Sequence, residues 1–238
     1  MSLLSTYKKQ QFQTNIFSLL INPLFLLRKI LFKRIKILAP ELSGKLLDFG
    51  CGSKPYKSRF LNVSEYIGLD IENNSHDHNK EEIDVFYDGK KIPFPDNHFD
   101  SVFSSEVLEH IFEPDLILKE INRILKPGGK ALFTLPFAWN EHEVPNDYAR
   151  YTSFGIKYLF EKHGFKVIKQ IKAGHMSVVI AQLRSLYVYE FLASKNKYFN
   201  ILISLVFIFP LNLAGFIFSS IMPKNYSLFF NNIILVQK

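Results

Sequence analysis

Residues 46–52, Leu-Leu-Asp-Phe-Gly-Cys-Gly, constrain this chain more than any other stretch. An apolar run ending in Asp-x-Gly-x-Gly reads as a buried strand that stops at a nucleotide. Glycine, with no Cβ, lets the backbone turn sharply and lets a ligand press against the peptide plane. By itself the pattern also fits a plain tight turn. A second apolar run, Tyr66-Ile-Gly-Leu-Asp70-Ile71, ends in an acid twenty residues beyond Gly50. That is the interval at which the second strand of a βαβ unit presents a carboxylate to ribose hydroxyls. A dinucleotide fold also wants a third glycine opening the helix, and Pro55 stands there instead. Proline has no N–H to offer a diphosphate, so the turn suits a nucleoside without phosphates.

From Lys45 the sequence alternates. The patterning predicts strands near 45–49, 65–69, 83–87, 100–104 and 129–135, with helices near 55–62 and 114–125. Lys126-Pro-Gly-Gly129 carries the breakers expected between a helix and the next strand. Thr152-Ser153 opens a further helix to about Lys162, and a strand follows from Gly164. Such alternation is the α/β signature of a parallel sheet with helices on both faces. Ligands in these sheets gather at the carboxyl ends of the strands. The rule selects Gly50–Tyr56, Asp70–Glu72, Asp88–Gly89, Ser104–Glu106 and Pro136–Asp147 as one rim.

Four segments in order carry a resemblance. They are Leu46-Leu-Asp-Phe-Gly-Cys-Gly-Ser-Lys-Pro-Tyr56, Gly68-Leu-Asp-Ile71, Asp88-Gly-Lys-Lys-Ile-Pro-Phe-Pro-Asp-Asn-His-Phe-Asp100 and Val107-Leu-Glu-His110. Together they resemble the class I S-adenosylmethionine-dependent methyltransferases, and within them the type 11 branch. That branch includes quinone-biosynthesis enzymes and bacterial small-molecule and glycan-modifying enzymes. The resemblance runs from about Leu46 to about Ile171. It implies a Rossmann-like sheet of seven strands whose last strand is antiparallel, an enzyme that transfers methyl groups, and S-adenosyl-L-methionine as cofactor. Ser227-Leu-Phe-Phe-Asn-Asn-Ile-Ile-Leu-Val-Gln237 is similar to that final strand. The cofactor side would be Asp48, Gly50 and Gly52 in the turn, Asp70 on the ribose and Ile71 on the adenine face. Asp88 with Gly89 would meet the adenine amino group, and Ser104, Ser105 and Glu106 would follow the fourth strand. Ile92 replaces the leucine of the family's Asp-x-x-x-Leu-Pro-Phe pattern. Glu106 also reads as a helix-start acid, and Glu109 and His110 read as structural.

The polar stretch after the fifth strand, Pro136 to Thr152, lies where such a fold receives the acceptor. Trp139, His142, Tyr148, Arg150 and Tyr151 are its expected substrate contacts. Methyl transfer is an in-line displacement that needs alignment and exclusion of water, and a base only for hydroxyl or carbon acids. His142, flanked by carboxylates, is the expected base. The competing reading is that His142 and Arg150 order the loop by pairing with Glu143 or Asp147.

The 29 Lys and Arg against 22 Asp and Glu give a formal charge of +7. This is a modest excess, and part of it accompanies an apolar face, so no nucleic-acid partner is expected. Cys51 is the one cysteine. It reads as packing rather than as a nucleophile, no disulfide is available, and no Cys/His spacing suggests a metal. Asn22-Pro23 opens a helix to about Leu38 that sets Lys29, Lys33 and Lys36 opposite Leu27, Ile30, Leu31, Ile35 and Leu38. Tyr198–Pro223 carries no formal charge. Pro210, Asn212 and Gly215 predict two short helices there rather than a simple span. The expected organisation is an amphipathic segment 1–40, a methyltransferase core 41–175, an apolar insertion 176–224 and a returning strand 225–238. Residues 16–38 and 198–223 together predict peripheral contact with the inner membrane face of a cytoplasmic protein, and hence a lipid-linked or small amphiphilic acceptor. A soluble enzyme with an apolar lid and a cofactor-binding protein without turnover are the alternatives.

Overall fold

In the computed structural model, residues 11–71 and 82–238 are described; Glu72 of the expected rim lies outside them. Seven strands form one sheet: β1 (Gly44–Phe49), β2 (Val63–Ile71), β3 (Val85–Tyr87), β4 (Phe99–Ser105), β5 (Leu125–Pro136), β6 (Lys166–Ala173) and β7 (Asn231–Gln237). Their order is β3-β2-β1-β4-β5-β7-β6. The pairs β1–β2, β1–β4, β2–β3 and β4–β5 are parallel, and β7 runs antiparallel to β5. The chain therefore has the doubly wound α/β architecture that the alternation predicts, including the returning last strand.

Helices α1 (Ser18–Ile21) and α2 (Phe25–Leu38) precede the sheet; α3 (Pro114–Ile124) and α4 (Ser153–Lys162) lie within it in sequence. In α3 Leu116 is exposed, while Ile117, Leu118, Ile121 and Ile124 share one helical face and are buried. They share a core with Ile156 and Phe160 of α4 and with Leu47, Phe49, Val102, Phe133 and Ile234 of the strands. Thr152 caps α4, its hydroxyl accepting the Gly155 N–H at 3.0 Å. On the other parity of the sheet, Phe103 is covered by the rings of Phe60 and Tyr56, with centroids at 4.8 and 6.0 Å.

Two expected elements differ. The helix near 55–62 is a single 3₁₀ turn, Lys57–Arg59. Lys54 is left-handed at φ 49°, Pro55 follows, and β2 already starts at Val63, so no room is left for an α-helix. Lys126–Gly129 likewise does not separate α3 from its strand, since β5 begins at Leu125. The ladder instead jumps from Phe99↔Leu125 to Ser101↔Lys130, so these four residues stand opposite Asp100 alone. Gly128, at φ 78°, makes the excursion possible.

The chain divides into two compact units, one of Ile35–Lys172 with Asn231–Lys238 and one of Met1–Arg34 with Ala173–Phe230. The second unit contains α1, most of α2, α5 (Met176–Leu192) and α6 (Lys197–Ile221). Asn22 caps the entry to α2 as the sequence predicts, its Oδ1 accepting the Leu24 N–H at 2.8 Å. The next open N–H groups are met from α5. Gln182, fully buried, accepts from Leu26 and Leu27 at 3.0 and 3.2 Å and donates to the Pro23 carbonyl at 2.7 Å.

The apolar tail corrects a further expectation. It is one continuous helix rather than two short ones joined at Pro210. A π-turn, Ser204–Ile208, precedes the proline. Widening the helix there accommodates the missing N–H and the ring, which would otherwise collide with the carbonyl four residues back. Ile208, Asn212, Gly215 and Ser219 form its buried face. At Gly215 a Cβ would lie 2.8 Å from the Cβ of Ala181, so α5 and α6 pack closely only because this position is glycine.

Gln182→Ala should lower stability by about 2–3 kcal/mol in denaturant unfolding, because it leaves two buried N–H groups and a carbonyl unmet. An unchanged midpoint would show that these groups find other partners.

Candidate active site

The parallel register of β1 and β2 pairs Phe49 with Leu69 and so sets Gly50 level with Asp70. Gly50 adopts φ 71° and Gly52 φ 44°, both left-handed. A Cβ at Gly50 would come within 2.3 Å of the Val107 side chain, so the turns after β1 and β4 touch where only glycine fits. The turn then folds back over β2. The Gly52 N–H donates to Asp70 Oδ2 at 2.7 Å and the Ile71 N–H to Asp70 Oδ1 at 2.8 Å. Each carboxylate oxygen keeps a second lone pair for a hydroxyl. Ile71 stands beside Gly89 (φ 79°), where a Cβ would be 3.0 Å from Ile71 Cδ1. Asp88 caps its own turn through Oδ1, which accepts from the Lys90 and Lys91 N–H groups at 2.9 and 3.1 Å. These bonds hold its carboxyl below the ordinary range.

Three supports under the turn escaped sequence reasoning. Lys54 bends inward to Asp84 Oδ2 at 2.6 Å, and the same oxygen accepts the Gly68 N–H at 2.6 Å. Tyr66 donates its hydroxyl to Asp48, which is buried in β1 beneath the turn. Burial pushes the Asp48 carboxyl up to about 7, against the pull of that hydrogen bond. Burial also pushes up the Cys51 thiol, in keeping with a packing role.

Beyond β4, Ser104 is buried and the Ser105 hydroxyl lies 2.9 Å from that of Thr134. Glu106 is left-handed at φ 58° and its carboxylate turns inward, accepting from Thr134 at 2.7 Å and from Asn231 at 2.7 Å. It is therefore not a helix-start acid, for only a 3₁₀ turn, Leu108–His110, follows. Within that turn Glu109 is fully buried, and neither of its side-chain oxygens has a hydrogen-bond partner among the described residues. Burial, and then the nearby Glu106, push its carboxyl well above the usual range.

The loop after β5 is built around Asp147. Arg150 grips it with two bonds of 2.6 Å, and the His142 N–H donates to it at 3.0 Å. Arg150 also donates to the Asn140 carbonyl at 2.8 Å and to that of Trp139 at 3.4 Å. The Tyr148 N–H donates to the Glu109 carbonyl at 2.8 Å, and its half-exposed ring meets Phe112 edge-on at 5.2 Å. His142 packs edge-on against His110, centroids 4.8 Å apart, and burial holds its imidazole below the usual value. Tyr151 differs from its companions because its ring packs on the core of the sheet unit. The structure thus brings Trp139, His142, Tyr148 and Arg150 together and adds Glu109 and His110, which the sequence reading assigned to structure alone.

A doubly wound sheet with this strand order, a glycine turn clasping the acid of the next strand and a polar loop after β5 define a class I methyltransferase fold. Residues 47–133 match the methyltransferase domain family Methyltransf_11. The ubiquinone/menaquinone biosynthesis C-methyltransferase UbiE of Shewanella oneidensis is 35% identical over 80 residues, 34% of this chain and 27% of that relative. The chain thus matches about a quarter of its curated relatives' length. Among solved structures, a SAM-dependent methyltransferase from Archaeoglobus fulgidus superposes with a TM-score of 0.55 at 17% identity, covering 98% of this chain and 99% of that one. Phosphoethanolamine N-methyltransferase 2 of Haemonchus contortus, in complex with S-adenosyl-L-methionine, gives a TM-score of 0.53 at 22% identity over 88% of this chain and 52% of that one.

Asp48 generates a pH test. Its folded-state value of about 7 lies above the ordinary 3.8, so the folded protein holds a proton that the unfolded chain releases. The protein should therefore lose stability as pH rises from about 4 to 7, by a few kcal/mol at most. Asp48→Asn, which keeps the shape and an acceptor for Tyr66, should reduce that slope in unfolding measurements at several pH values, leaving the part that the buried Glu109 contributes. An equal slope in both proteins would place the titration elsewhere.

Proposed function

We propose that this chain transfers a methyl group from S-adenosyl-L-methionine to an amphiphilic acceptor at a membrane surface. The observation that carries the first half is the clasp of Gly52 on Asp70, with Ile71 and Gly89 beside it. Its donor set suits a nucleoside: a carboxylate with free lone pairs for two hydroxyls, and an apolar side chain against a glycine that leaves room for a flat base. No α-helix opens after the turn and Pro55 offers no N–H, which disfavours a diphosphate. S-adenosylmethionine, when bound, supplies a sulfonium methyl group. This chain would hold it through Asp70, Ile71, Asp88 and Gly89, with Gly50 and Gly52 admitting its amino-acid portion and Ser104 to Glu106 bordering it. Asp48 would support the turn from below. Trp139, His142, Tyr148 and Arg150 would orient the acceptor, Tyr151 would back them from the core, and His142 would take a proton where the acceptor must lose one.

The membrane half rests on the second unit. The helix Lys197–Ile221 is long and apolar enough to cross a membrane, yet only 28% of its most apolar window is buried. Val206, Phe207, Ile217, Phe218 and Ile221 are exposed. Its other face carries Asn212 and Gly215 against the unit's own helices, with Asn212 donating to the Asn22 carbonyl at 3.1 Å. A helix committed to protein on one side suits a place in the interface plane better than a span. Lys29 lies 3.9 Å from the Phe216 ring centroid, so the cationic helix α2 borders the same apolar helix. The chain leaves the sheet at β6 and returns to it at β7, which ties both ends of the insertion to one sheet. The relative from Shewanella oneidensis is a ubiquinone/menaquinone biosynthesis C-methyltransferase, and a quinone with an apolar tail is one acceptor chemistry that this arrangement suits.

Calorimetry with S-adenosylhomocysteine should show binding by the wild type and at least a tenfold loss in Asp70→Ala, which removes two charge-assisted hydrogen bonds. Equal binding would remove Asp70 from the site. In flotation assays the protein should rise with anionic vesicles, less with neutral ones, and stay down as Phe207→Asp/Phe218→Asp. Failure of the wild type to float would leave a cytosolic enzyme.

A further inference from the structure

We infer that Glu109, His110 and His142 form a binding site for a divalent transition-metal ion. Each offers one ligand atom, and the three atoms lie within 4.8 Å of one another. An ion at their centre is then no more than about 2.8 Å from each, under 1 Å from the 2.0–2.2 Å at which imidazole and carboxylate hold zinc. Small side-chain rotations close that gap.

The second observation is the state of Glu109. Its carboxyl is fully buried with no hydrogen-bond partner among the described residues, and Oε1 lies 3.9 Å from His110 Nε2. A buried carboxylate with nothing to hold is costly, and a cation is the partner that relieves the cost. The histidines are oriented as ligands are. His110 Nδ1 lies 2.7 Å from the Asn146 carbonyl, which fixes the proton on Nδ1 and leaves the lone pair on Nε2. His142 Nδ1 faces the Asn140 carbonyl at 3.2 Å and Asp147 at 3.3 Å, which favours the same tautomer. Arg150 Nη2, 3.4 Å from that nitrogen, is neutralised by Asp147. Glu143 Oε2 lies 3.7 Å from His110 Nε2 and adds a carboxylate to the border of the site.

Two imidazoles with carboxylates select zinc, cobalt, manganese or ferrous iron over calcium and magnesium, which take oxygen ligands. Three protein ligands leave positions open for an acceptor oxygen. With the ion bound, His142 serves as ligand rather than proton acceptor, and the ion makes an acceptor hydroxyl more acidic. The site draws its residues from the turn after β4 and the loop after β5, so it is separate from the clasp on Asp70.

The test uses tag-free full-length protein stripped with chelator. Zn²⁺ titrated calorimetrically should bind saturably at one equivalent and raise the melting temperature, and Co²⁺ should give visible d–d absorption. His110→Ala, His142→Ala and Glu109→Gln should each weaken Zn²⁺ binding at least tenfold, while His175→Gln binds as the wild type does. Circular dichroism establishes that each variant is folded. His142 lies in the loop, so its variant stays informative if the buried Glu109 does not tolerate change. The inference is overturned if the wild type shows no saturable binding and no melting shift, or if folded His110→Ala and His142→Ala bind as tightly as the wild type.

Discussion

Gly50 has no room for a side chain, and much of the sheet unit's functional geometry follows from that. Its φ of 71° turns the chain off β1, and the Val107 side chain occupies the space a Cβ would need. Contact at this one residue couples two loops that the parallel register has already brought to the same sheet edge. On one side the chain runs on to Gly52 and closes on Asp70. On the other, Val107 leads into the 3₁₀ turn that carries Glu109 and His110. A larger residue at position 50 would force these loops apart, adding a clash to the roughly 1–2 kcal/mol cost of a left-handed backbone.

The second level of order is electrostatic. Glu106, Glu143 and Asp147 gather near the ends of β4 and β5 around the buried carboxyl of Glu109, and Arg150 answers them through Asp147. Glu106 spends its charge on Thr134 and Asn231, which fastens β7 to the rim. Glu109 has no such outlet, yet its backbone carbonyl anchors Tyr148 and so holds the loop over it. A loop fixed at both Asp147 and Glu109 keeps His142 against His110, where a mobile loop would let the two rings separate.

The sheet was legible in the sequence because its strands are apolar runs cut by glycine and acid, and those cuts fall at the rim. Asp70, Gly50 and Gly52 could be placed for the same reason. The misread segments are those where a local signal was weaker than its context. Pro-Gly-Gly after α3 looks like a break but is absorbed as an excursion in β5, because the ladder resumes at Lys130. Pro210 looks like a helix boundary but is accommodated by one π-turn, since the apolar residues around it continue the helix on both sides. Lys54, Tyr66 and Asp84 gave no signal, because their partners come from other strands. Glu109 and His110 read as structural because the burial of Glu109 and the contact of His110 with His142 arise only once the loop after β5 covers them.

The apolar helix of the second unit shows how composition and packing divide the work. Composition sets its length and greasiness, and by those measures alone it could cross a bilayer. Packing commits Ile208, Asn212, Gly215 and Ser219 to the protein, and two of these are polar groups whose burial has to be offset by neighbours. Asn212 is satisfied in part by the Asn22 carbonyl, the same residue whose side chain caps α2. The helix that borders α2 through Phe216 is thus also bonded at its entry, so the cationic and apolar surfaces are fixed relative to each other within one unit. On the membrane-surface proposal, such a surface would distinguish an anionic bilayer from a merely apolar partner. The basic groups would then add selectivity for charge to an affinity that the exposed phenylalanines and isoleucines would supply.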